Sequence, residues 1–176
     1  MNIDELKGRV YTIPLAGTAV TVAVDLAEIV VPANTLLRLR RVVATQSSDT
    51  DSEQVAYAIQ RATSGYTSGS GGSAATFVKV NPLDAAATVT GEVFNSTPAS
   101  AGTGTLTVLP REAHNIVSGL HYAPDIREMY LFIPTQACII SITGNPADSL
   151  TVQGYVVVEE FTATSGHLRR LLENYL

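Results

Sequence analysis

Between Val10 and Phe161 the apolar residues recur at every second position, in short Val/Thr/Ile/Ala-rich runs broken by Gly, Pro, Asn and Asp. A period of two is the period of a half-buried β-strand, and runs this short exclude long helices from the body of the chain. After Gly166 the period changes. In Gly166-His-Leu-Arg-Arg-Leu-Leu-Glu-Asn-Tyr-Leu176 the apolar residues Leu168, Leu171, Leu172, Tyr175 and Leu176 fall at i, i+3, i+4, i+7 and i+8, one face of an amphipathic helix. Such a face must be buried, either on the chain's own sheet or on a neighbour.

The strands read as Val10–Pro14, Thr18–Val24, Leu36–Ala44, Glu53–Ala62, Thr88–Asn95, Gly104–Leu109, Met129–Ile133, Ala137–Thr143 and Thr151–Phe161. In the third, Leu37 and Leu39 face one way and Arg38 and Arg40 the other, and the phase slips at Arg41-Val42-Val43, which predicts a bulge. In the fourth, Val55, Tyr57 and Ile59 form a buried face opposite a flat face of Ala56, Ala58 and Gln60. Pro134-Thr135 and Gly144-Asn-Pro146 are turns. Short helices are expected near Pro82–Ala87 and Arg111–Asn115. Nine or ten short strands without strand–helix alternation predict an all-β, antiparallel β-sandwich, jelly-roll-like, with an extended N-terminus and a short C-terminal amphipathic helix. The expected organisation is an arm over residues 1–9, a sandwich domain over 10–162 and a helical tail over 163–176.

At 176 residues the chain is long enough to bury a core without disulfide or metal. The single cysteine, Cys138, lies in the apolar run Ala137-Cys-Ile-Ile140 and reads as a small core residue. Eleven Lys and Arg against 16 Asp and Glu give a net charge of −5, which argues against nucleic acid as the main partner. The clusters Arg38-Leu-Arg40-Arg41 and Arg169-Arg170 read as solvated strand and helix faces, and their sharper reading is that each meets an acidic partner surface. The start, Met1-Asn-Ile-Asp-Glu-Leu-Lys7, is polar and acidic where a signal peptide is basic, and no apolar run approaches the roughly 18 residues of a membrane helix. Synthesis in a host cytoplasm and no membrane partner are the expectations.

No catalytic pattern emerges. The tract Thr63-Ser-Gly-Tyr-Thr-Ser-Gly-Ser-Gly-Gly-Ser-Ala-Ala75 lacks the Lys-Ser/Thr ending of a phosphate loop and reads as a long hairpin connection; its sharper reading is a loop reaching a neighbouring subunit with Tyr66 as anchor. Asp49-Thr-Asp51-Ser-Glu53 lacks the glycine and distal glutamate of a calcium loop and reads as turn chemistry. His114, His121 and His167 have no ligand spacing, and Ser118 beside His121 carries no nucleophile turn. Asn95-Ser-Thr97 reads as a chance glycosylation match, and Glu159-Glu160 as a solubilising strand end. The expectation is a non-enzyme with no catalytic residue, metal or cofactor, whose partner-binding residues are Leu168, Arg169, Leu171, Leu172, Tyr175 and Tyr66.

Several of these features occur together: the extended start ending in Pro14, a Val24-Asp25-Leu26 turn, Gln46-Ser-Ser-Asp-Thr-Asp-Ser-Glu-Gln54 leading into a strand with Arg61, the Gly/Ser loop, Asn81-Pro82, Asn95-Ser-Thr-Pro98 and the closing Glu159-Glu160-Phe161. From Tyr11 to Phe161 this pattern resembles small structural proteins encoded with the head genes of tailed bacteriophages. The resemblance implies a virion protein of the capsid decoration or cement type. Its partners would be the major capsid protein and further copies of itself, as a dimer or trimer, at the capsid surface. A tail, neck or fibre-associated β-module, with glycan binding as one role open to it, is the alternative in the same setting. The resemblance brings no catalytic residues, and it does not extend past Gly166.

Overall fold

The computed structural model describes residues 8–48 and 53–162, in which every regular element is a β-strand. In chain order these are β1 (Arg9–Val20), β2 (Val24–Val30), β3 (Thr35–Gln46), β4 (Gln54–Ala62), β5 (Ser73–Ala74), β6 (Val78–Lys79), β7 (Thr90–Asn95), β8 (Leu106–Asn115), β9 (Leu120–Tyr122), β10 (Leu131–Phe132), β11 (Ala137–Ile142) and β12 (Leu150–Thr162). They form two antiparallel sheets. The first runs β10-β3-β12-β1-β6, with β9 also on β3, and the second runs β5-β7-β2-β11-β4-β8.

The pairings explain the shape. β1 pairs with β12, β2 with β11, β3 with β9 and β10, and β4 with β8. This is one long antiparallel ribbon rolled up so that successive pairs fall in alternate sheets, which is the jelly roll expected from the strand pattern. The apolar positions meet between the sheets. Tyr11, Ile13, Leu37, Leu39, Val156 and Val158 of the first sheet pack against Leu26, Ile29, Tyr57, Ile59, Ile140 and Ile142 of the second. Each such aliphatic side chain contributes about 1.5–3 kcal/mol on burial. Cys138 is buried in this core, and burial pushes its thiol pKa up.

The predicted bulge is present. Val157 pairs with Arg41 and Val158 with Leu39, so Arg40 is the extra residue, and the buried phase shifts from Leu37 and Leu39 to Val42 and Ala44. Gly154, between β1 and β3, has φ +150°, and a Cβ there would lie 1.9 Å from the Val43 carbonyl oxygen. Only glycine fits where three strands are drawn this close.

Four local expectations are corrected. Thr18–Val24 is not one strand: the chain breaks over 21–23, where the Ala23 N–H donates to Asn145 Oδ1 at 3.0 Å. Asp25 is therefore not in a turn but inside β2, a strand hidden by its two acids. Pro82–Ala87 is not helical; the Asn81 side chain and carbonyl hold a turn through the N–H groups of Leu83 and Asp84. Arg111–Asn115 is the second half of β8, paired with β4.

Candidate interaction surfaces

The second sheet carries two carboxylates on the face turned away from the core. On the β11 side, Asp25 pairs with Ser141 and Ala27 with Ile140, so Leu26 is an extra residue. The bulge sends Leu26 and Ala27 into the core and leaves Asp25 and Glu28 on the outer face, although three residues separate them. Both are 1% exposed. A buried charge needs compensation, and among the described residues neither acid has a cationic partner. The Gly/Ser loop supplies donors instead. Glu28 Oε1 accepts from the Tyr66 hydroxyl (2.7 Å) and Ser68 Oγ (2.5 Å), and Oε2 accepts from the Gly69 N–H (2.9 Å) and Asn95 Nδ2 (3.2 Å). Asp25 accepts from the Ala99 N–H (2.6 Å) and from Ser141 Oγ (2.7 Å), which in turn accepts from Gln60 Nε2 (3.0 Å). Burial raises the Asp25 pKa, the neighbouring Glu28 adds to this, and the two donors oppose it.

Residues 63–75 and 96–105 thus form a flap over the second sheet, joined by bridges between Thr67 and Ser100 and between Ser70 and Thr97. A small apolar layer lies beneath it: Ala62, Ala137 and Ile139, with Val30, Tyr66, Ala99 and Leu106 packed on them. A Cβ on Gly69 would lie 2.7 Å from Asn95 Nδ2, so this glycine serves close approach rather than flexibility. Tyr66 anchors the loop inward, on its own sheet. Its hydroxyl, with a pKa raised by burial and by the Glu28 contact, is engaged within the chain rather than presented to a neighbour.

Glu159 and Glu160 are not a solubilising end. Glu160 is fully buried, accepts from the N–H groups of Thr88 (2.8 Å) and Val89 (2.9 Å), and pairs with Arg9 at 2.5 Å. Glu159 lies 3.5 Å from Arg38, whose guanidinium stacks over Phe161 at 5.2 Å. Arg38 is 4% exposed, so it is not part of a solvated basic cluster.

At the open edge of the sandwich, between β8 and β9, a cleft of about 200 Å³ is lined by Tyr57, Pro110, Glu112, His121, Tyr122 and Pro124. His114 Nε2 lies 3.0 Å from Glu112 Oε2. Ser118 Oγ donates to the Asn115 carbonyl at 2.9 Å, closing a turn, and not to His121. Among the described residues no three His, Cys, Asp or Glu converge as metal ligands, and no helix is long and apolar enough to cross a membrane.

Among the described residues the most exposed large apolar side chain, Leu83, lies at the opposite edge. Val78 and Val80 flank Lys79 on β6 and its extension, and Leu83 in the following turn is 92% exposed. Leu168, Arg169, Leu171, Leu172 and Tyr175, like Asp49–Ser52, lie outside the described residues.

Asp25, Glu28 and Glu160 were missed as structural residues. The available signal was an acid inside an apolar run, as in Val24-Asp-Leu-Ala-Glu-Ile-Val-Val31, with a donor-rich Ser/Gly loop elsewhere in the chain. No family profile, curated protein or solved structure matches the chain.

Proposed function

We propose that the protein is a non-enzymatic component of a tailed-bacteriophage virion, a head decoration or cement protein that binds the shell of major capsid protein as a dimer or trimer. The observation that carries this reading is a jelly roll whose surface loops are clamped by buried carboxylates while one apolar edge, Val78, Val80 and Leu83, stays exposed. Jelly rolls recur in viral capsid domains. The sequence pattern from Tyr11 to Phe161 supports the same assignment. A cement role needs a rigid body with modest contacts, because many copies on one shell multiply weak binding through avidity. With Tyr66 turned inward, the exposed edge around Leu83 is the surface that meets the shell.

The test is quantitative mass spectrometry of purified, DNA-filled particles against the major capsid protein. A ratio near stoichiometric supports the decoration role. A few copies per particle moves the protein to the neck, tail or fibre, and absence from particles overturns the virion reading. The alternative β-module is favoured by the cleft, where the half-buried Tyr122 offers aromatic surface and Glu112 and His121 offer polar groups. Binding on a glycan array that is lost in Tyr122→Ala would select it.

A further inference from the structure

The strands at the sheet edges are of unequal length. Among the described residues β5, β6 and β10 have two residues each and β9 has three, whereas β8 has ten. A long edge presents a row of main-chain N–H and C=O groups to other chains, and short edge strands are one protection against that. In β8 the row is divided. Leu109 and Pro110 together oppose Ile59, and this bulge bends the strand. Pro110 has no N–H to offer. Beyond it, Arg111-Glu-Ala-His-Asn115 runs in unbroken register with β4, and Arg111, Glu112 and Ala113 are exposed.

The ladder fixes which groups face outward. The Ile116 N–H donates to the Glu53 carbonyl at 3.1 Å. By antiparallel alternation His114 and Glu112 also turn their main-chain groups toward β4, while Ala113 and Arg111 turn theirs away from it. Among the described residues no strand lies beyond β8 to receive them. Side chains alternate as well. Glu112 and His114, opposite the core residues Tyr57 and Val55, share one face, with His114 Nε2 3.0 Å from Glu112 Oε2.

We propose that a second copy of the chain pairs with this segment, β8 against β8, antiparallel about a two-fold axis through Ala113. Charge selects the register. With Ala113 on the axis, Glu112 of each copy stands opposite His114 of the other, and Arg111 stands opposite the neutral Asn115. An axis at Glu112 or at Arg111 sets like charges against each other, and an axis at His114 leaves Glu112 opposite Ile116. Ala113 faces outward, so it exchanges N–H and C=O with its own copy. Glu112 and His114 then form the closer, non-hydrogen-bonded kind of pair, about 4.5 Å apart at Cα. Such a contact is isologous and closes at two copies. The inference thus rests on the self-association in the proposed function and narrows it to a dimer.

Copies of the full chain carrying Glu112→Cys, mixed with copies carrying His114→Cys, test it under mild oxidation, because Cys138 is buried and stays out of the exchange. A disulfide-linked dimer is expected in the mixture, in at least about tenfold excess over either variant alone. Only the mixed pair sets two thiols directly opposite, inside the roughly 7 Å Cα separation that a disulfide can bridge. No linked dimer in the mixture, or equal yields in all three samples, overturns the proposal. Sedimentation equilibrium over a concentration series gives an independent reading. The parent is expected as a monomer–dimer equilibrium, with Kd raised at least about tenfold by His114→Glu and kept by His114→Lys. A parent that is monomeric or trimeric, or a dimer indifferent to His114→Glu, overturns the inference. None of these results bears on copy number per particle, which tests the virion reading separately.

Discussion

The two sheets bury acids on opposite terms. On the second sheet, Asp25 and Glu28 have no cation among the described residues and are solvated by hydroxyls and N–H groups of a polar flap. On the first sheet, Glu159 and Glu160 have arginines, Arg38 and Arg9, and Glu160 adds two backbone N–H groups. One device uses flexible donors to order a loop, and the other uses a charge pair to tie strand to strand. The difference shows that a Gly/Ser tract, disordered by composition, becomes structure when a sheet offers it an anion. It also shows where each half is vulnerable: the flap detaches locally, whereas the paired acids sit at the joint between the two ends of the described chain.

The comparison breaks most sharply at Glu160. Glu160→Ala strands Arg9 and two N–H groups and is expected to cost about 4 kcal/mol in urea unfolding, with loss of one cooperative transition for the whole domain. Glu28→Ala leaves four donors without their acceptor and should cost about 3 kcal/mol. Its signature is regional, with fast hydrogen exchange over 64–72 while β12 keeps its protection; equal loss in both regions would erase the distinction. Asp25 sharpens the contrast through pH. Its pKa is raised in the folded state, so the folded protein binds the proton more tightly than the unfolded chain does. Stability from this group therefore rises as pH falls through the folded value and levels off below about 3.9, the unfolded carboxyl range. Asp25→Asn should remove that rise and be at least as stable as the parent at neutral pH, as measured by urea unfolding across a pH series. The smallest effect on stability belongs to Leu83→Asp. Fully exposed, it should shift unfolding by less than about 0.5 kcal/mol yet weaken sedimentation with particles, which separates a contact residue from a structural one.

The alternation of Val55, Tyr57 and Ile59, the slip at Arg41 and the absence of helical period made the sandwich legible, because these are properties of neighbouring residues. β2 was not legible. Its acids interrupt the apolar alternation, and they are tolerated only because Tyr66, Ser68, Gly69 and Ala99, 38 to 74 positions away, supply hydrogen bonds. The same distance hid Glu160, whose partners Arg9, Thr88 and Val89 are joined to it by the roll of the ribbon. Arg111–Asn115 has a composition suited to either helix or strand, and pairing with β4 decides it.

The rolled ribbon also sets the order of events at birth. Arg9 meets Glu160 across 151 residues, and β12, which sits between β1 and β3 in the finished sheet, is the last of the described strands to be synthesised. Until then β1 and β3 are two open edges with no strand between them, rich in Val, Ile and Leu. Folding of the first sheet must therefore wait for β12 and be slow, as expected for contacts this distant in sequence, and the growing chain depends on protection of those edges for as long as the central strand is missing.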